Sequence, residues 1–487
     1  MEVSTRMTRR SWTTAVVSAL ATVMAVASGA PGQAVLGGAL PGSPPGPLFP
    51  ADNWWNVDVS SAPVDANSAA YIQFVNNNCA NCCPTGGRRL HPDFGGNVSP
   101  GSVQTYGIPY AVVLGSQPKR RVIFFYDDES DGVDQATGQS FPFYPLPDEA
   151  IAQPHWVEGG DPASVDLRDD QDRHLIVVDR DRRHLYELWN VWYDTAQGQW
   201  HAGSGAFFDL NTNNRRPETW TSADAAGLAI LPGLVRYDEV YASDPTGTYE
   251  IPHAFRVTVR RTNGHVFPAS HTAGNTAGAL PMGARLRLKA DKNIASFPPE
   301  IRRIFGAMKK RGLIVADNGT DMYVTGTYDP RWNNDVLNPA FGQLSACDFE
   351  VVQLGWKPAL LGLEVSANQS TFTVGQTLTP TVTYTNPGLP SVVDVYVGLL
   401  FPDGHTIAFS TGGGGFVLGD AANAASFRPA ATGVALAAPV SATVPNVFAY
   451  PWTATAPRGA YVLFLAATKA NVPTEILTLA TAQLSLQ

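Results

Sequence analysis

Charge is scarce in this chain. Asp, Glu, Lys and Arg supply 15% of its 487 residues, against about a quarter in ordinary globular proteins. The formal net charge is -9, so the chain lacks the positive excess with which nucleic-acid binders neutralise phosphates. Beyond residue 30 no apolar run reaches the roughly eighteen residues that a membrane-spanning helix needs, and no span is expected in the mature protein. There is no G-x-S-x-G elbow, no H-E-x-x-H, no G-x-x-x-x-G-K and no G-x-G-x-x-G after a strand, which removes the readings those motifs carry. Cysteine is limited to Cys79, Cys82, Cys83 and Cys347. Near His91 and Asp93 the Cys-x-x-Cys-Cys cluster lacks the second thiolate pair of a zinc site. An even count in an exported chain favours two disulfides, with Cys347 tied back to the first cluster as one pairing.

What is plentiful is Gly, Pro, Trp and Tyr, the composition of an extracellular β-rich protein. Arg6, Arg9 and Arg10 precede the apolar run WTTAVVSALATVMAVASGA, the pattern of a cleaved secretory signal over residues 1–30. The expected location is therefore secreted: extracellular or periplasmic. Residues 31–48 read as a Pro/Gly-rich linker with too little periodicity to fold. The remaining length suits two domains. Residues 49–355 read as a β-rich domain of the α+β class. Within it YAVVLG, RRVIFFY, RHLIVVDRD, HLYELWNVWY and MYVTGTY read as strands. Ile301, Ile304, Phe305 and Met308 fall at helical spacing before Gly312, and TSADAAGL reads as a helix start capped by Thr221 or Ser222.

Residues 359–487 lose most charge and adopt short alternating runs such as STFTVGQTLTPTVTYTNPG and RGAYVLFLAATKA, the pattern of an antiparallel sandwich. This segment resembles the immunoglobulin-like modules of secreted bacterial proteins, which implies a spacing or attachment role. WHAGSGAFFDLNTNNRRPETWTSADAAGLAILPGLVRYDEV, with IPHAFR and LIVADNG, resembles secreted bacterial proteins of unknown function. That resemblance brings no mechanism and no catalytic residues.

IPHAFRVTVRRTNGHVFPASH holds three of the chain's nine histidines. Asn263-Gly264 predicts a two-residue hairpin that sets Thr262 opposite His265 and Arg256 opposite His271. Alternation then separates an apolar side of Phe255, Val257, Val259 and Val266, ending at His253, from a polar side carrying Arg256, Thr258, Arg260, His265 and His271. Arg256 beside His271 suits an anionic or polyhydroxylated ligand, and a solvated sheet face is the other reading. His253 is a core histidine or a pocket residue.

Carboxylates and aromatics in Gly-rich loops suit carbohydrate chemistry, since glycosidic hydrolysis ordinarily needs a carboxyl pair. Asp209, Asp224, Glu187 and Asp317 are candidate members, and Trp54, Trp55, Trp200, Trp220 and Trp332 candidate platforms. For any one Asp, a turn cap is the competing reading. In YDDESDGVD, Asp127, Glu129, Asp131 and Gly132 read either as a structural calcium loop or as a solvated acidic turn, and Gly138 stands where an EF-hand needs its Glu. Ser204 lies between glycines near His201.

The leading expectation is a secreted polysaccharide-active hydrolase of the glycosidase kind. Asp209, Asp224, His253 and His271 would be its catalytic groups, with Arg256, Trp200, Trp220, Glu187 and Asp317 binding substrate. It requires no catalytic metal or cofactor. The alternatives are a non-catalytic carbohydrate-binding or adhesion protein, and a serine- or metal-dependent hydrolase of another extracellular polymer.

Overall fold

The computed structural model describes residues 34–41, 46–77, 79, 82–83, 86–244, 248–357, 361–386, 391–436 and 440–487. The expected signal at 1–30 lies outside the described residues. The described chain is β-rich and forms two compact units, divided between Lys357 and Pro358.

Two mixed sheets frame the first unit. One runs in the order Val35–Leu36, Tyr110–Val113, Leu175–Asp179, His184–Trp189 and Ser204–Asp209. Every residue of Leu175–Asp179 is buried, as its unbroken apolar run requires when both faces of a sheet are covered. One face, with Ile176, Val178, Leu185 and Phe208, joins the main core. The other, with Val177, Tyr186 and Leu188, packs on Phe124, Tyr144, Trp156 and Trp200.

The second sheet has the order Phe349–Val351, Arg285–Leu288, Leu313–Asn318, Phe255–Val259, Tyr323–Thr325 and His91–Asp93. Its two central strands, Phe255–Val259 and Leu313–Asn318, are parallel, with Arg256 opposite Ile314 and Thr258 opposite Asp317. The helix Pro299–Lys310 covers this sheet through Ile301, Ile304, Phe305 and Met308, the stripe its spacing predicts. It stops where Gly312 takes φ +80° and donates its N–H back to the Ala307 carbonyl at 3.1 Å, an αL cap that a Cβ would spoil.

Three sequence expectations fail here for identifiable reasons. Asn263-Gly264 makes no hairpin: Gly264 has φ +68° but Asn263 is not left-handed, whereas a type I′ turn needs both central residues there. Asn263 instead bridges Asn275, His265 bridges Met282, and the strand Phe255–Val259 pairs with chain more than fifty residues downstream. TSADAAGL forms no helix, because Ser222 Oγ accepts the Asp224 N–H at 2.9 Å and closes a tight turn. The segment expected to be an unstructured linker is partly built in: Val35 and Leu36 pair with Val112 and Ala111, and Leu48 is buried. A two-residue edge strand is too short to leave a periodic signature.

All four cysteines pair, Cys79 with Cys82 and Cys83 with Cys347, so no thiolate remains for the metal or redox reading. The second bond spans 264 residues and ties the start of the first unit to its end.

The second unit is antiparallel apart from one short pairing, Thr371–Phe372 with Val472–Leu486. A three-stranded sheet of Gly362–Ala367, Pro380–Asn386 and Val440–Val444 accompanies a seven-stranded sheet built around Ser391–Leu400, Gly459–Lys469 and Val472–Leu486. Leu363, Val365 and Val382 of the first join Val397, Leu399, Tyr461 and Leu463 of the second in one core with Trp452. Among the described residues no helix is long and apolar enough to cross a membrane.

Closing so long a loop removes much unfolded-chain entropy. The double change Cys83→Ser, Cys347→Ser should therefore destabilise the first unit by about 2–5 kcal/mol. Thermal unfolding under oxidising conditions checks it; a midpoint equal to the wild type would contradict the pairing.

Candidate functional site

A half-open cleft of about 450 Å³ lies between the two sheets of the first unit. Trp189 and Ser204, partners in the first sheet, line it from one side. Asp317 and Asn318, at the end of their strand in the second, line it from the other. The loop Thr221–Ala225 runs between them, and Tyr126, Glu129, Asp172 and His271 complete the walls.

This loop is held residue by residue. Asp224, 1% exposed, takes a bidentate ion pair from Arg256: Nε donates to Oδ2 at 2.9 Å and Nη2 to Oδ1 at 2.7 Å. Arg256 also donates from Nη1 to Thr325 Oγ1 at 2.7 Å and from Nη2 to Asp317 Oδ2 at 3.3 Å. The Ala223 carbonyl accepts from His174 Nε2 at 2.9 Å, and the Ala225 carbonyl accepts from His271 Nδ1 at 2.8 Å. Backbone bonds finish the attachment, Ala226 N–H to the Ala316 carbonyl and Ser270 N–H to the Ala226 carbonyl. Gly227, at φ +71°, lies so close that a Cβ would sit 2.1 Å from Ser270 Oγ.

Both ring nitrogens of His174 face acceptors, the second being Glu158 Oε2 at 2.5 Å from Nδ1. A neutral imidazole has one N–H, so this ring is an imidazolium. Burial alone would lower its pKa, but the Glu158 carboxylate outweighs burial and raises it to about 9. In turn His174 holds the Glu158 carboxyl below its ordinary range despite burial. In His271 the bond to Ala225 occupies Nδ1, and Nε2 has no protein partner among the described residues.

The Asp317 side chain shows 29% of its surface at the cleft, yet protein surrounds it on the other sides. Burial, and then the charge of Asp224, push its carboxyl up to about 7. Asp172 is exposed and accepts from Trp189 Nε1 at 3.3 Å. Tyr126 stacks on Trp189 with centroids 6.4 Å apart, giving the cleft an aromatic wall. Beyond Asp172 a second recess of about 290 Å³ is lined by Asp93, Tyr106, Glu158, Asp170 and Gln171.

Of the residues singled out from sequence, Asp224, Asp317, His271, Ser204 and Glu129 line the cleft. Arg256 is not among the lining residues; its charge is met by Asp224 and Asp317, and it organises the floor. Glu187 also lies below: it is buried and accepts the Ile230 and Leu231 N–H groups. Asp209 is elsewhere. It ends the strand that Ser204 begins, roughly 16 Å away at 3.3 Å per residue, and caps its own turn through Asn211. His253 is a core residue, joined to Glu239 at 2.9 Å in a buried group with Arg236. Trp54, Trp55, Trp200 and Trp332 are buried in the cores. Trp220 stands beside the cleft under the Arg216 guanidinium. Ser204 Oγ donates to the Ser222 carbonyl, while His201 packs on Trp192, so no Ser–His hydrogen bond forms.

The acidic turn read as a calcium loop directs Glu129 to the Thr221 N–H and Asp131 to Arg216 and the Phe207 N–H. Among the described residues no three His, Cys, Asp or Glu side chains group at metal-binding geometry. Sequence reasoning missed Asp172, His174, Glu158 and Tyr126. For the first two a signal existed: Asp172-Arg173-His174 places three polar residues directly before the apolar run Leu175–Val178, where a sheet end opens.

No family model matches the chain, and no curated protein matches it. Among solved structures, a CARDB domain from Pyrococcus furiosus, in complex with di-metal ions, is 14% identical over 27% of this chain and 89% of its own, with TM-score 0.17. An alkylpurine DNA glycosylase from Pseudomonas fluorescens is 12% identical over 26% and 31%, with TM-score 0.18. A β-glucosidase from Listeria innocua is 14% identical over 27% and 17%, with TM-score 0.15. The chain thus spans under a third of the glycosylase and about a sixth of the β-glucosidase. Such scores carry no argument about fold or function.

Burial also raises the Glu187 carboxyl, to about 7, with the Leu231 and Ile230 amides pulling it partly back. A carboxyl whose folded pKa exceeds its unfolded value of about 4.3 makes stability fall as pH rises, here up to about pH 7. Glu187→Gln removes that share. The drop in unfolding midpoint between about pH 5 and about pH 7.5 should shrink in the variant, and an undiminished drop would show that Glu187 does not titrate there.

Proposed function

We propose that the first unit is a polysaccharide-active hydrolase acting through the carboxyl groups of the Asp224 cleft. The observation that carries this reading is Asp317, a cleft-lining carboxyl that keeps its proton to about pH 7, in the same cleft as the solvent-open Asp172. A proton donor and an ionisable base in one cleft are what glycosidic cleavage needs. Asp317 protonates the leaving oxygen. Asp172, oriented by the Trp189 indole, assists water or attacks the sugar carbon. Tyr126 and Trp189 offer ring faces to the sugar, and His271 Nε2 reaches its hydroxyls. Arg256 holds Asp224 and, through it, the loop. The mechanism calls for no cofactor.

Two disulfides and the apolar N-terminal segment support export of the chain. The paired antiparallel sheets of the second unit support an immunoglobulin-like sandwich that spaces or attaches the first.

The test is product release from a panel of soluble glycans by the mature chain, with Asp317→Asn and Asp172→Asn beside it. Because the acid must be protonated, kcat should fall as pH rises through about 7, and Asp317→Asn should lose about 10²–10⁴-fold in rate while staying folded. Binding of a glycan with no release from any member of the panel would replace the hydrolase by a non-catalytic binding protein.

A further inference from the structure

The cleft and the recess share Asp172 as a common wall, so a ligand longer than either passes over it. Glu129, Asp172, Asp224 and Asp317 face the first part, and Asp93, Glu158 and Asp170 the second. Among the described residues no Lys or Arg lines either. The nearby cations are already engaged: Arg256 by Asp224 and Asp317, and His174 by Glu158. His271 donates to the Ala225 carbonyl, and His91 stacks on Tyr323. Glu129, Asp172, Asp93 and Asp170 have no ion-pair partner among the described residues, and low-dielectric walls concentrate such a field.

A second feature of the recess is independent of charge. Thr105 and Gln171 line it, and among the described residues their buried oxygens, Thr105 Oγ1 and Gln171 Oε1, have no hydrogen-bond partner. Both can accept, and an ammonium group brings three donors and no acceptor. Burial, and then the neighbouring Glu158, push the Asp93 carboxyl up against the partial pull of Arg256 and His91.

We infer that the joined cleft and recess take a glycan bearing ammonium groups, the chemistry of a deacetylated amino-sugar polymer. Sugar rings lie along Tyr126 and Trp189 while ammonium groups meet Asp172, Asp170 and Asp93. The same carboxylates repel uronic and sulfated glycans. This inference rests on the hydrolase reading above for cleavage, though not for binding.

Six-residue oligomers of glucosamine, N-acetylglucosamine, glucose and galacturonate separate the possibilities, with binding read by calorimetry and cleavage by product analysis on the mature chain at about pH 6. The glucosamine oligomer should bind and be cleaved at least about tenfold better than the neutral ones, an advantage that salt of about 0.5 M erases because it screens the carboxylates. Asp170→Asn should lower the advantage several-fold. Equal or better use of a neutral or uronic oligomer overturns the charge inference and leaves the hydrolase standing. Selective binding of the glucosamine oligomer without cleavage of any oligomer overturns the hydrolase and leaves the ammonium site. Neither binding nor cleavage of any oligomer overturns both.

Discussion

The ion pair between Arg256 and Asp224 is the interaction on which the site depends. A guanidinium taken out of water costs several kcal/mol unless its partners match it closely. Here a carboxylate takes two of its donors side by side, Thr325 takes a third, and Asp317 shares one at longer range. Arg256 belongs to a central strand of one sheet, and Asp224 to the loop that passes towards the other. The pair therefore decides where that loop lies. With Asp224 fixed, the carbonyls on either side of it meet His174 and His271, and three successive residues are held from three separate parts of the chain.

The same pairing sets the electrostatics of the cleft. The strongest nearby cation lies beneath the floor and is neutralised there, so the open face is left to carboxyl groups. Burial and mutual repulsion then keep the proton on Asp317 to about neutral pH. Glu187, below the loop, carries a similar burden. Buried carboxyls with raised pKa values reduce stability at neutral pH, and such departures from the most stable arrangement concentrate at functional sites.

Much of the frame was legible in the sequence. Unbroken apolar runs such as LIVV became strands covered on both faces, the spacing of Ile301 to Met308 became the covering helix, and the cysteine count became two bonds. Alternation along Phe255–Val259 correctly put Arg256 on the side opposite Phe255 and Val257. The other side is not wet, however, because that strand is central in its sheet and the loop Thr221–Ala225, from thirty to forty residues earlier, covers it at Arg256. Pairing with such distant chain leaves no local trace, which is why the hairpin reading failed. Asp224, Asp317 and His271 could be named by residue type alone, but so could Asp209 and His253, which the fold takes elsewhere. Distinguishing them needed the crossing of two sheets, a property of no single segment.

The most direct test of this account is a double-mutant cycle on the central pair, Arg256→Met and Asp224→Leu, read by denaturant unfolding. Arg256→Met strands the buried Asp224 carboxylate and should cost about 3–5 kcal/mol, Asp224→Leu leaves Arg256 only its longer contact with Asp317 and should cost about 2–4 kcal/mol, and the double change should cost no more than the larger of the two. Single costs that simply add, to within about 0.5 kcal/mol, would contradict the claim that the pair holds the cleft together.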